Sequence, residues 1–342
     1  MAVPVARKMT MNSLPGKQRG VALIVVLLIV AMIAIIATNI NSRNQISVRR
    51  TINLAQYDQA YWYAISAEEL AKKVLKQDLD DADEGKVHRQ QYWAQADVVF
   101  PAEQGEIGGR ISDLQACFNL NALAIETTEV ENGQPKLPLP AVQFKGLLVA
   151  LGMDDFSAER LTHTLKDYID EDTVASPFGA EDADYESRTV PYRAANTLMS
   201  HRSELRAVIG FSQEVYLKLA PYICVIPGYD RQVLNVNTIE VEQAALLAGM
   251  FDNKISVGEA ESIINQRPGD GYDSLDDFWS NGSISGLRQD KNLESSFSLK
   301  SQYFLLEAGA KVDSATFRMQ SVLRVGGNNQ LDVLTRQYGG QK

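Results

Sequence analysis

An uninterrupted apolar run near the start of the chain limits its possible folds more than any other feature. Every residue from 21 to 37 is apolar, and the uncharged run reaches Ile40. A helix needs about 20 such residues to cross the hydrocarbon core of a bilayer. A cleaved signal peptide stays open as an alternative, although its apolar region is usually shorter and ends at a small-residue cleavage site. The sequence therefore predicts an exported or membrane-anchored chain.

The apolar run continues into a long segment without helix breakers. Neither proline nor glycine occurs between residues 21 and 79. The first part is apolar on all sides, whereas residues 46–74 carry their apolar side chains on one stripe. Acidic residues 78–84 and then Gly85 end the pattern. We therefore predict one long helix that lies in lipid, or among like helices, at its start and packs on a folded domain at its end.

Composition and charge exclude nucleic-acid binding. The 342 residues are 45% hydrophobic and 22% charged, as in ordinary globular proteins, and the formal net charge is -10. Because the first 20 residues carry four bases and no acid, their removal leaves about -14. Such a surface repels nucleic acid, whose phosphates bind concentrated lysine and arginine.

No catalytic motif is present. His88, His163 and His201 are scattered, and the sequence contains no G-x-S-x-G, Walker or H-E-x-x-H pattern. We therefore predict that the chain is not an enzyme.

Cys117 and Cys224 have no metal-binding spacing. If the body is exported they can form one disulfide, and two separately buried thiols are the alternative.

Residue patterns after the long helix predict an α+β fold. Residues 91–123 alternate as two or three strands, and the polar segment 126–140 is typical of a loop. Helical spacing dominates residues 141–249, and strand alternation returns from residue 301, with Gly-Gly-Asn-Asn at 326–329 as a hairpin signal. Strands on both sides of a helical block indicate a helical domain inserted into a domain of helix and sheet.

The helical block contains a weak internal repeat. "FNLNAL" (118–123) is similar to "LNVNTI" (234–239), and each precedes two helices joined by a turn. The segments 151–161 and 249–263 resemble helix-hairpin-helix units, which often bind nucleic-acid phosphates. Acidic residues surround both turns in place of the basic neighbours such binding requires. We therefore assign these units to packing or protein contact.

An acidic loop is the strongest chemical cluster in the sequence. Six carboxylates within 15 positions flank a turn at Pro177 and Gly179. A hard cation such as Ca²⁺ takes six to eight oxygen ligands from flexible loops of this kind. No EF-hand pattern is present, and a solvated acidic loop stays open as the alternative. The predicted ligands are Asp170, Asp172, Glu181, Asp182 and Asp184; Glu171 is the remaining carboxylate.

The N-terminal segment resembles the type IV pilin and pseudopilin class, which has a short basic leader ending in glycine before an apolar helix. In the body, segments 113–123, 190–211 and 221–239 resemble the K component of type II secretion systems, the large minor pseudopilin. The resemblance implies that a prepilin peptidase cuts between Gly20 and Val21 and methylates the new N-terminus. Most members of the class carry glutamate at the fifth mature position, where this chain has Val25.

The resemblance implies a function and its partners. A K component lies at the tip of the pseudopilus and starts or limits its assembly during export of folded proteins across the outer membrane. Implied partners are the I and J minor pseudopilins, the major pseudopilin, the prepilin peptidase and the inner membrane. The N-terminus is expected in the cytoplasm and the body in the periplasm, and calcium is expected in the helical domain. A signal-anchored periplasmic binding protein with helix-hairpin-helix modules is the alternative, and a metal-dependent hydrolase a further one.

The predicted architecture is a pilin-like helix packed on an antiparallel sheet, with a large inserted all-α domain. We predict five segments, which are a prepilin leader (1–20), a transmembrane and assembly helix (21–42), the pseudopilin helix with the first strands (43–121), the inserted helical domain (122–290) and C-terminal strands that complete the sheet (291–342).

Overall fold

The computed structural model describes residues 19–95, 98–126, 130–131 and 134–339. The chain divides into two compact units, the first ending at Gln56 and the second beginning at Tyr57. The described residues form nine α-helices, namely α1 (Arg19–Asp80), α2 (Leu139–Ala150), α3 (Asp155–Ile169), α4 (Asp182–Glu186), α5 (Gln213–Leu219), α6 (Ala244–Met250), α7 (Val257–Gln266), α8 (Leu275–Trp279) and α9 (Lys291–Glu294).

Eleven strands complete the described structure. Five of them form one sheet, and the other six, of two residues each, form three separate pairs. The strands are β1 (Val98–Ala102), β2 (Gly105–Asp113), β3 (Phe118–Asn119), β4 (Val130–Glu131), β5 (Gln134–Pro135), β6 (Ile223–Cys224), β7 (Leu234–Asn235), β8 (Phe297–Ser298), β9 (Tyr303–Val312), β10 (Ala315–Val325) and β11 (Leu331–Tyr338).

In the first unit, the described residues belong to the N-terminal part of α1. This helix has 62 residues in all, which confirms the long helix predicted from the lack of breakers. Its most apolar 18-residue window has a mean hydropathy of 3.3. Among the described residues, α1 is the one helix that is long and apolar enough to cross a membrane.

In the second unit, α1 packs on a five-stranded antiparallel sheet. The strand order is β1-β2-β9-β10-β11, so the sheet combines strands from before and after the helical block. Small residues of α1 let the helix approach the sheet closely, and large apolar side chains of β9 and β10 fill the space between them. This core includes Ala60, Ala64, Leu75, Leu79, Phe304, Leu306, Phe317, Met319 and Leu323.

A buried ion pair fastens the last strand to α1. The Glu68 side chain is fully buried, and its carboxylate accepts hydrogen bonds from Arg336 of β11 at 2.8 and 2.9 Å. Ser321 of β10 donates a further hydrogen bond at 2.5 Å. These contacts outweigh the burial of Glu68, so the pKa of its carboxyl lies below the usual value. The buried charge is therefore compensated.

The helical block has its own core, in which two helices cross at glycines. A Cβ atom on Gly146 of α2 would lie 2.7 Å from the carbonyl oxygen of Gly249 in α6. A Cβ on Gly249 would likewise lie 2.5 Å from the amide nitrogen of Leu147. Both distances are shorter than van der Waals contact, so only glycine allows the two backbones to come this close. The crossing joins the first helix of each sequence repeat.

The sequence repeat corresponds to a structural repeat. β3 pairs in parallel with β6, and β7 pairs in parallel with β8. Asn121 accepts a hydrogen bond from the Met199 amide at 2.8 Å and donates to the Met199 carbonyl at 3.0 Å. Asn237 makes the same two bonds with Tyr272, at 2.8 and 3.1 Å. In each copy, a buried asparagine side chain thus forms two hydrogen bonds to the backbone of a residue that is distant in the sequence.

The two copies differ in the segment that follows their second helix. In the second copy, residues 267–271 connect α7 to Tyr272. In the first copy, residues 170–198 connect α3 to Met199. The acidic loop predicted from the sequence is therefore an insertion within the first copy.

A buried aspartate connects the sheet to the helical block. Asp113, at the end of β2, accepts hydrogen bonds from Thr238 at 2.6 Å, Ser301 at 2.5 Å and the amide of Gln115 at 2.7 Å. Burial raises the pKa of the Asp113 carboxyl, while these hydrogen bonds act in the opposite direction. Asp113 therefore joins the end of β2 to Thr238, near the start of the second copy, and to Ser301, just before β9.

Candidate functional site

Three of the five predicted cation ligands lie together in the acidic insertion. Asp170 ends α3, Asp172 follows it in the loop, and Glu181 precedes α4. One carboxylate oxygen of each lies within 4.8 Å of the others. Asp170 and Glu181 are buried, whereas Asp172 is exposed. The fold therefore brings together acidic side chains from both ends of the loop.

These buried carboxylates lack enough protein donors. Lys166 contacts one oxygen of Asp170 at 2.6 Å. Within the described residues, the other oxygen of Asp170 and both oxygens of Glu181 have no hydrogen-bond partner. Burial, followed by the negative charges of Asp167, Asp170 and Asp172, raises the pKa of Glu181 to about 7. Burial likewise raises the pKa of Asp170. A carboxylate in this position requires a compensating cation or a proton.

Asp167, which is not among the predicted ligands, supports the loop. Its carboxylate accepts hydrogen bonds from the amide and the hydroxyl of Ser176, at 2.8 and 2.6 Å. A Cβ on Gly179 would lie 1.7 Å from an Asp167 oxygen, so the loop passes directly over this side chain. Burial raises the pKa of Asp167. Its position one turn before Asp170 on α3 is the signal that could have identified it.

Asn196 is a second residue at the loop that is not among the predicted ligands. Its backbone has a φ of 42°, in the left-handed region that asparagine tolerates. The side-chain amide donates to the Asp172 carbonyl at 3.0 Å. Its buried Oδ1 has no hydrogen-bond partner within the described residues. The side-chain amide of Asn196 therefore fixes one end of the acidic loop, and its Oδ1 is available as an acceptor or ligand. No sequence motif identifies this residue.

The other two predicted ligands are engaged by the protein. Asp182 accepts a hydrogen bond from the Ala194 amide at 3.1 Å and lies 3.9 Å from the Arg193 guanidinium. Asp184 accepts a hydrogen bond from the Glu181 amide at 3.1 Å, as a residue in the first turn of a helix can do. Both side chains thus stabilise α4 and its surroundings, and their role as ligands stays a prediction.

The cysteines are joined in the structure. Cys117 and Cys224 form a disulfide with Cα atoms 5.8 Å apart, across a sequence separation of 107 residues. Cys224 belongs to β6, the strand that closes the first copy of the repeat. The disulfide therefore encloses the copy that contains the acidic loop.

The predicted processing and assembly positions lie at the beginning of α1. Gly20, Val21 and Val25 are helical, and all three are exposed. Residues 1–18 of the predicted leader lie outside the described residues. Cleavage between Gly20 and Val21 stays a prediction.

Comparisons with known proteins agree on one family. Two family models, both described as Type II secretion system (T2SS), protein K, match residues 116–228 and 234–300. The type II secretion system protein K of Aeromonas hydrophila is 41% identical over 95% of this chain and 98% of its own length. The protein K of Pectobacterium carotovorum subsp. carotovorum is 36% identical over 96% of this chain and 98% of its own length.

A solved structure shows the same fold. One chain in the crystal structure of the GspK-GspI-GspJ complex from the enterotoxigenic Escherichia coli type 2 secretion system superposes with a TM-score of 0.76 and 35% sequence identity. The similarity covers 85% of this chain and 100% of that chain. From these matches, which extend over almost the whole sequence, we conclude that the chain belongs to the protein K family of type II secretion systems.

Proposed function

We propose that this chain is the minor pseudopilin at the tip of a type II secretion pseudopilus, where it starts or limits assembly. Its family and its similarity to a chain of the GspK-GspI-GspJ complex support a minor pseudopilin role. The observation that carries the tip position is Val25, where most pseudopilins have glutamate. Its partners are then the I and J minor pseudopilins, and below them the major pseudopilin.

The chemistry of Val25 explains why the tip is the suitable position. In the pseudopilin class, the glutamate pairs with the N-terminal amine of the subunit ahead. A carboxylate without such a partner is costly in a bilayer or an apolar bundle. A tip subunit has no subunit ahead of it, so valine avoids that cost. The helical block adds a wide body that does not fit inside a narrow fibre, which favours the same position.

Processing by the prepilin peptidase is the first test of this proposal. After co-expression with the peptidase, mass spectrometry should find a mature N-terminus at Val21 that carries one methyl group. Gly20→Val should block cleavage, whereas Gly16→Val, upstream in the leader, should leave it unchanged. An uncleaved wild-type chain contradicts the pseudopilin assignment.

Substitution of Val25 tests the tip position separately. Val25→Glu gives the chain the carboxylate that shaft subunits use, so overproduction of this variant should shorten pseudopili less than overproduction of the wild type. Val26→Glu is the matched control, because it adds the same charge one position away from the pairing site. Equal shortening by the wild type and Val25→Glu, measured by electron microscopy of sheared pseudopili, contradicts the tip assignment.

The proposed topology follows from the N-terminal segment. The basic residues before Gly20 favour a cytoplasmic N-terminus, because cytoplasmic flanks of membrane helices are enriched in lysine and arginine. α1 then crosses the inner membrane once and places the body in the periplasm. The Cys117–Cys224 disulfide is compatible with that oxidising compartment.

We also propose a structural calcium ion at the acidic loop. Asp170, Asp172 and Glu181 offer oxygens within 4.8 Å of one another, and Asn196 has a buried oxygen without a partner. Only oxygen donors are present in this set, which suits calcium better than zinc or copper. When bound, the ion supplies positive charge that compensates the buried carboxylates. Chelation should therefore lower the thermal unfolding temperature, and an unchanged temperature contradicts the site.

The helix pairs of the repeat form the rigid part of the wide body in this proposal. α2 with α3 and α6 with α7 each consist of two helices joined by a short turn, and the pairs cross at Gly146 and Gly249. We interpret them as helix-hairpin-helix units used for packing. Acidic residues such as Asp155 and Asp252 beside the turns make nucleic acid an unsuitable partner.

A further inference from the structure

Two phenylalanines lie exposed beside the acidic loop. Phe156, in the first turn of α3, is 62% exposed, and Phe178, in the loop that follows α3, is 43% exposed. Their rings meet edge to face with centroids 5.7 Å apart. Exposed aromatic side chains in mutual contact are typical of a binding surface, because they supply large apolar area with few torsions to fix. We call Phe156 and Phe178 the aromatic pair.

The loop that carries Phe178 is held in place before any partner arrives. Ser176 donates hydrogen bonds to Asp167 through both its amide and its hydroxyl, and the Gly179 amide donates to the Ser176 carbonyl at 3.0 Å. The Phe178 ring also contacts the ring of His163, with centroids 5.9 Å apart. A preorganised anchor loses little conformational entropy on binding. The exposure of Phe178 is thus a property of an ordered loop.

The charge around the aromatic pair is predominantly negative, although Arg160 lies exposed one turn after Phe156 on α3. Residues 154–187 contain eleven Asp and Glu against two Lys and Arg. Of these two bases, Lys166 is paired with Asp170. Lys145, from the neighbouring α2, is paired with Asp155 and Glu159 at 3.0 Å each. A divalent cation at the acidic cluster compensates only two of the negative charges. The surface therefore attracts cationic groups and repels phosphates.

We propose that the aromatic pair is a docking site for an apolar segment of a protein partner that carries lysine or arginine next to its apolar side chain. The two rings supply the hydrophobic contact, and the acidic surroundings select the flanking positive charge. Anionic membranes and nucleic acids do not match this surface. The proposal depends neither on the tip position nor on the cation, because the contacts that hold Phe178 are made by the protein itself.

The test measures peptide binding to the full-length chain in phosphatidylcholine nanodiscs. The probe is a fluorescent peptide with a Leu-Phe pair between lysines, and the readout is fluorescence anisotropy. The wild type should bind it saturably, and the Phe156→Ser/Phe178→Ser double variant should bind about tenfold more weakly. Leu217→Ser is the matched control, because Leu217 is 60% exposed in the same helical block, and it should keep wild-type affinity.

A second peptide and a salt titration test whether binding requires positive charge. A peptide with glutamate in place of lysine should bind at least about tenfold more weakly than the lysine peptide, and added salt should weaken binding of the lysine peptide. Equal affinity of the wild type and the double variant, equal affinity for the two peptides, or no saturable binding by the wild type overturns the proposal. Because both rings are exposed, the double variant should keep its thermal unfolding temperature. If it unfolds, Phe156→Ser alone replaces it, with weaker peptide binding expected and unchanged binding overturning the proposal.

Discussion

Replacing Glu181 by glutamine is expected to stabilise the chain in a chelator and to remove most of its response to calcium. Both carboxylate oxygens of Glu181 are buried without a hydrogen-bond partner in the described structure. Burial and the neighbouring carboxylates raise its pKa from 4.5 to about 7. Glutamine has nearly the same shape but no charge, so it relieves the repulsion and weakens a ligand at the same time.

The sign and size of the effect follow from the raised pKa. Between pH 4.5 and about 7, Glu181 keeps a proton in the folded chain that it releases in the unfolded chain. Stability without a cation therefore falls as the pH rises through this window, and the loss is complete above about pH 7. At about 1.4 kcal/mol for each pH unit of this window, the total loss is at most about 3–4 kcal/mol. Glu181→Gln removes this penalty, so its gain is largest at pH 8 and absent at pH 4.

Thermal unfolding of the full-length chain in detergent, from pH 4 to pH 8, measures these effects. In a chelator, the wild type should lose stability with rising pH and Glu181→Gln should lose less. Calcium at a hundred times its Kd should stabilise the wild type by about 2.7 kcal/mol and the variant by much less. Glu171→Gln, which removes an exposed carboxylate of the same loop, should behave like the wild type. A Glu181→Gln variant that is less stable than the wild type in chelator at pH 8, or that keeps the full calcium shift, contradicts this role of Glu181.

Three further predictions concern the contacts that close the fold, each measured by urea unfolding. Cys117→Ser should lower the free energy of unfolding by about 2–4 kcal/mol, because it opens a disulfide across 107 residues, and reductant should have no further effect on this variant. Glu68→Gln should cost about 2–3 kcal/mol, because its arginine partner stays partly buried without a counter-charge; no loss contradicts this. Asn121→Ala and Asn237→Ala should each lower the free energy of unfolding by about 2–3 kcal/mol, because each removes a buried side chain that closes one copy of the repeat. The exposed Asn292→Ala is the control and should lower it by less than about 0.5 kcal/mol. An equal loss in all three variants contradicts this role of Asn121 and Asn237.

The long helix and the sheet could be predicted because their signals are local and repeated. An absence of breakers over 59 residues leaves the α-helix as the simplest outcome. Alternation in β9 and β10 places their apolar residues on the face that α1 covers. Of the two-residue strands, β3 lies within the predicted strand segment 91–123, whereas β6, β7 and β8 could not be predicted, because a pair of residues shows no period. Their position follows from the tertiary fold instead.

The acidic loop could be predicted only in outline. The density of acidic residues in the sequence predicted a cluster of six carboxylates. In the structure, Asp170, Asp172 and Glu181 lie together. Asp182 and Asp184 instead accept hydrogen bonds from backbone amides. A sequence does not reveal which carboxylates have amide donors within reach, since that depends on where the loop returns. For the same reason Asn196, which holds the loop from its far end, carries no signal that distinguishes it beforehand, whereas Asp167 could be recognised only by its position one turn before Asp170 on α3.

The position of the disulfide follows from the difference between the two copies of the repeat. In the parallel pairing, Asn119 faces Cys224 in the first copy and Asn235 faces Ser298 in the second. The first copy contains the longer insertion, and closing a longer loop costs more entropy. Its insertion also concentrates negative charges, which repel one another. A covalent link at the closing strand reduces the entropy of the unfolded chain for this copy alone. The copy that carries the acidic loop is therefore the one that most needs a disulfide, whereas the second copy is closed by the same asparagine contacts without one.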